Sequence, residues 1–166
     1  YEPGKVVADL GAASRIRVAN DRVEDSPVWL TLGPKNVSRK DILTSQLQSI
    51  MLPFAGSFSA EGSKDLKVTP LITSSESSCA LDAMTAQFGG EALRGAFRSS
   101  GLPLNIAVRL TGKFKTAFPN GKPKDTAPAA GDAKQPDEKT QSEQPGLREG
   151  DSTVILVGDA DMIYDR

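Results

Sequence analysis

Residues 153–157 read Thr-Val-Ile-Leu-Val, and residues 158–161 follow as Gly-Asp-Ala-Asp. An unbroken apolar run bounded by a glycine turn predicts a β-strand buried on both faces, the pattern of a central strand in a layered α/β sheet. Its carboxyl end carries two acids. Open α/β sheets bind ligands at that end of their strands, so Asp159 and Asp161 become candidate contacts. Carboxylates at i and i+2 could hold a hard cation such as magnesium, but that needs further donors that the sequence does not name. The simpler role is structural: one aspartate caps the following turn while the other faces water.

Upstream of this run, KVVAD (5–9), RIRVA (15–19), VWLTL (28–32), LKVTPLIT (66–73) and LNIAVRL (104–110) read as strands, with KFKTAF (113–118) continuing the last. MLPFAGSF (51–58) is extended, and Pro53 places it at an edge or a strand start. Ser38 with Asp41 resembles a capping box, and Ile42, Leu43, Leu47 and Ile50 recur at helical spacing, so a helix is expected over 39–49. A second helix is expected over 80–88, stopped by Gly89-Gly90, with a weak further turn over 91–97. Strands with intervening helices point to an α/β layer structure.

Residues 120–150 stand apart. They contain no aromatic residue, no valine and no isoleucine, and they hold four prolines, Pro123, Pro128, Pro136 and Pro145. Such a segment buries too little apolar surface to offset its ordering entropy. The expected organisation is one α/β domain formed by 1–119 and 151–166, interrupted by a mobile low-complexity insertion at 120–150.

Composition excludes several chemistries. The chain has 166 residues, no histidine and one cysteine, Cys79. Ser-His-Asp and Cys-His nucleophile pairs and histidine-ligated zinc are therefore ruled out within it. The 20 basic and 21 acidic residues leave a net charge of −1, which offers no field for a nucleic acid. No phosphate loop or GxGxxG fingerprint is present, and no cofactor is expected. The serine cluster Ser74, Ser75, Ser77 and Ser78 follows a strand. Ser74 and Ser75 could form an anion-binding nest, although turn formation accounts for them equally well. Cys79 and Trp29 read as core residues. Lys113 and Lys115 flanking Phe114 read as a solvated strand face.

Three segments, PLITSS (70–75), AVRLTGKFKTAF (107–118) and VILVGDAD (154–161), carry a resemblance to the extracytoplasmic domain of GldG-type auxiliary proteins of ABC-type transport systems. The resemblance implies a Rossmann-like α/β domain of a membrane-anchored protein, outside the cytoplasmic membrane, working with an ABC permease and ATPase. It implies no catalytic residues. It also places the family's first elements before Tyr1 and its membrane helix after Arg166. The expected function is non-enzymatic binding or assembly. A small-ligand domain for a sugar or an anion, near Ser74 and Asp159, is the alternative, and a metal-dependent hydrolase built on Asp159 and Asp161 is a third reading. A domain lacking part of its sheet is expected to pair with a second copy as a homodimer.

Overall fold

The computed structural model describes residues 1–17, 21–59, 65–118 and 148–163. Eight strands form: β1 (Lys5–Asp9), β2 (Ala13–Arg17), β3 (Val23–Leu32), β4 (Ile50–Pro53), β5 (Leu66–Thr73), β6 (Ser78–Asp82), β7 (Asn105–Lys115) and β8 (Glu149–Val157). Two short helices, α1 (Ala83–Phe88) and α2 (Gly90–Ala96), separate β6 from β7, and a 3₁₀ turn, Asp161–Ile163, follows β8. The strands make three sheets, β1-β6, β2-β3-β4 and β5-β7-β8, and every pairing is antiparallel.

The Rossmann-like α/β expectation is therefore wrong. A doubly wound sheet needs long amphipathic crossover helices between parallel strands. The segment expected to supply one, 39–49, makes turns instead. Its polar side chains are drawn elsewhere. Asp41 accepts from Arg109 of β7 at 2.6 Å and from the Leu43 amide at 3.1 Å, and the Thr44 hydroxyl donates to the Ser38 carbonyl at 2.7 Å. Side-chain bonds of this kind compete with the helical ladder, and here they are anchored by a partly buried ion pair.

The run TVILV also lies elsewhere than expected. Among the described residues β8 pairs only with β7, so it is an edge strand, and Ile155 is 44% exposed. The strand buried on both faces is β1, with Val6, Val7, Ala8 and Asp9 buried in succession. Val7 enters a core with Leu30, Leu32, Leu52, Leu71 and Ile106. Val6 and Ala8 enter a second core with Val28, Cys79, Leu81, Ala86 and Leu93. Strand alternation thus places β1 between the two cores. Helices α1 and α2 contribute Ala86 and Leu93 to the second core, and Asp82 caps α1 by accepting from the Thr85 amide at 3.1 Å.

Residues 55–58 stitch the sheets together. The Ala55 carbonyl accepts from the Val7 amide, the Gly56 amide donates to the Gly158 carbonyl, and the Phe58 amide donates to the Asn105 carbonyl, at 2.7, 2.7 and 2.8 Å. The approach at Gly158 is close enough that a Cβ there would meet the Gly56 carbonyl, which accounts for the glycine of the GDAD turn.

Most of the expected 120–150 insertion, residues 120–147, lies outside the described residues, while Glu149 and Gly150 belong to β8. Its flanks are fixed: Lys115 pairs with Glu149, and the Thr116 amide donates to the Arg148 carbonyl at 2.9 Å. The segment therefore closes a hairpin whose ends already meet. Replacing 119–147 by a short Asn-Gly-containing turn should change the unfolding free energy by less than about 1 kcal/mol, because closure cost varies slowly with loop length. Urea unfolding of the two forms checks this.

Candidate functional site

The serine pair sits in the turn joining β5 to β6, and its polar atoms are occupied. Asp9, at the end of β1, is fully buried. It accepts from the Ser75 amide at 2.6 Å, from the Ser75 hydroxyl at 2.5 Å and from the Gly11 amide at 2.8 Å. The group that the turn's donors bind is the chain's own Asp9 carboxyl. Gly11 lies so close that a Cβ would strike the Ser75 hydroxyl. Ser74 is buried beside it. Its hydroxyl shares a hydrogen bond with Ser78 at 2.7 Å and accepts from the Leu104 amide at 2.7 Å, while its own amide donates to the Leu104 carbonyl.

The acid pair follows β8. Asp159 is 8% exposed, and its Oδ1 accepts from the Asp161 amide at 2.7 Å, so it forms the cap of the 3₁₀ turn. Its Oδ2 is buried without a hydrogen-bond partner among the described residues. Burial, and secondarily the nearby Asp161 charge, hold the Asp159 carboxyl above its ordinary pKa, although amide hydrogen bonds oppose the shift. Asp161 itself is exposed. Among the described residues, no hydrogen bond or ion pair joins the serine pair to the acid pair, and no three histidine, cysteine, aspartate or glutamate side chains gather as a metal site.

The geometry instead draws attention to a feature the sequence reading missed. A groove of about 1010 Å³ opens between the β2–β3 ribbon and the α1–α2 pair. Its floor is Val28, Trp29, Phe54, Ala86, Leu93 and Phe97, and Arg22, Glu24, Asp25 and Arg94 stand on its rim. Trp29, expected in the core, is half-buried and forms part of this floor. Phe54 reaches it from a backbone with φ of 51°, a left-handed conformation uncommon for an aromatic residue. Leu10, Val23 and Phe88 flank the floor, and Phe88 is 78% exposed. No contiguous stretch of sequence signals it, because its floor is assembled from β3, Phe54, α1, α2 and Phe97. Cys79, by contrast, lies in the second core as expected.

The raised Asp159 pKa has a defined sign. A folded-state pKa above the unfolded value means that the native state binds the proton more tightly, so this group costs stability as pH rises through the window above the ordinary value. Asp159→Asn should therefore raise the urea midpoint at pH 7, and its advantage should fade as pH falls toward the ordinary aspartate pKa of about 3.9.

No curated protein and no solved structure matches the chain. A family model described as an ABC-type uncharacterized transport system matches residues 1–166. With the match spanning its whole length, the chain belongs to this family of auxiliary components of ABC-type transport systems.

Proposed function

We propose that the chain is a non-enzymatic binding or assembly domain that docks a protein component of its transport system, the permease first, outside the cytoplasmic membrane. The observation that carries this reading is the chemistry of the groove. Its apolar floor with a rim of both charge signs is the make-up of a protein interface, with an apolar centre and a polar edge. A sugar or anion site needs convergent polar groups on its floor. The groups best placed for that near Ser74 and Asp159 are largely engaged internally: Ser75 by Asp9, Ser74 by Ser78 and Leu104, and one Asp159 oxygen by the Asp161 amide. The extracytoplasmic placement is supported by the resemblance of 70–75, 107–118 and 154–161 to GldG-type domains.

Co-purification with the permease and ATPase of the same system tests the reading. The chain should recover the permease. Phe88→Glu and Leu10→Glu place a charge on exposed groove positions, so they should leave folding intact and lower recovery about tenfold or more. Undiminished recovery by both variants would remove the groove from the interaction.

A further inference from the structure

The two edges of the β5-β7-β8 sheet are built differently. The β5 edge is closed to further pairing. Pro70 lacks an amide hydrogen, the register shifts between Pro70 and Thr73, and the chain's own loop lies along it. There Val37 bridges Ile72, the Ser38 amide donates to the Leu71 carbonyl, and the Thr73 amide donates to the Asn36 carbonyl. Proline, bulges and covering loops are the devices that block edge pairing.

The β8 edge has none of them. Its register against β7 runs without a shift from Glu149 to Val157, it contains no proline or lysine, and no described residue pairs with its outer side. The Gly158 amide donates to the Ile106 carbonyl and the Thr116 amide to the Arg148 carbonyl, which fixes the alternation. Even-numbered residues of β8 bond to β7, and Glu149, Asp151, Thr153, Ile155 and Val157 direct their backbone groups outward.

We propose that β8 is a homotypic pairing edge, and that two copies of the chain join β8 to β8 antiparallel about a two-fold axis at Thr153. The strand's own sequence selects this register. Centring on Thr153 overlaps all of 149–157 and places outward-directed residues opposite one another. Glu149 then faces Val157 of the second copy and Asp151 faces Ile155, so no like charges are opposed. A parallel in-register pairing would stack Glu149 on Glu149 and Asp151 on Asp151, which is unfavourable. The side chains of Val154 and Leu156 share a sheet face with Val68, Val108 and Leu110, and the two-fold sets the small Ser152 and Gly150 of the second copy opposite them on that face. Because both outer edges of the resulting six-stranded sheet are the blocked β5, the assembly closes as a dimer. This pairing is independent of the groove, which lies on β2–β3 and α1–α2.

Sedimentation equilibrium of the whole chain, from low micromolar to near-millimolar, tests the proposal. The mass should rise to twice that of the chain. Thr153→Pro removes an outward amide without touching the β7 ladder, and Ile155→Glu sets a like charge opposite Asp151 of the second copy. Each should weaken dimerisation at least about tenfold. Thr153→Cys adds a direct geometric readout. Hydrogen-bonded antiparallel partners have Cα atoms about 5.5 Å apart, within disulfide range, so this variant should cross-link on oxidation. Asp151→Cys, far from its own copy across the axis, should not, and the buried Cys79 does not interfere. If the proline variant fails to fold, Ile155→Glu and the cross-linking pair decide. A monomer at every concentration, a dimer that both edge variants leave unchanged, or equal cross-linking at 151 and 153 would overturn the proposal.

Discussion

Asp9 places a carboxyl group where no water reaches it, at the end of the strand that separates the two cores. Leaving such a group unbonded would cost several kcal/mol, so its surroundings must supply donors. Three arrive from two directions: Gly11 from the turn into β2, and the Ser75 amide and hydroxyl from the turn between β5 and β6. Those turns belong to different sheets. Holding Ser75 also fixes Ser74, whose hydroxyl and backbone bind Leu104 just before β7. One buried carboxyl thereby sets the relative positions of all three sheets.

Most local strand content was legible in the sequence because alternation and β-branched residues act over a few positions; β6 was not, since its Ala80–Asp82 read as the start of a helix. β1 and β5 fall where KVVAD and LKVTPLIT placed them, and the Gly89-Gly90 stop divides the helical region. What failed was the step from segment to position. TVILV reads as a central strand, yet only part of its apolar surface meets the core; Val157 packs there while Ile155 faces out. KVVAD is shorter and ends in an acid, yet with its buried Asp9 it is the strand that lies between the two cores. Periodicity reports what a segment can bury and leaves open which neighbour comes to bury it. The 39–49 segment has helical periodicity, but the contact between Asp41 and Arg109 spans 68 residues and is invisible to any local window.

The same distinction governs the candidate site. Ser74, Ser75 and Asp159 drew attention because polar residues at strand ends often meet ligands. In the fold Ser75 meets the buried Asp9 carboxyl, Ser74 meets Ser78 and Leu104, and Asp159 meets the Asp161 amide, so each serves to fix a turn. The groove has the opposite history. Trp29 and Val28 come from β3 and Leu93 and Phe97 from α2, so no contiguous motif announces it. The chain belongs to a family of auxiliary components of ABC-type transport systems, and the uses proposed for the groove and for the bare β8 edge are both contacts with other chains.

The central claim is that the Asp9 hydrogen bonds hold the sheets in register, and equilibrium urea unfolding of Asp9→Ala tests it most directly. The variant empties a fully buried carboxyl position and leaves the amide and hydroxyl of the half-buried Ser75 and the Gly11 amide without their acceptor. The account predicts a loss of about 3 kcal/mol or more, a large share of the stability of a domain this size. A loss below about 1 kcal/mol, the level of an ordinary surface substitution, would contradict it.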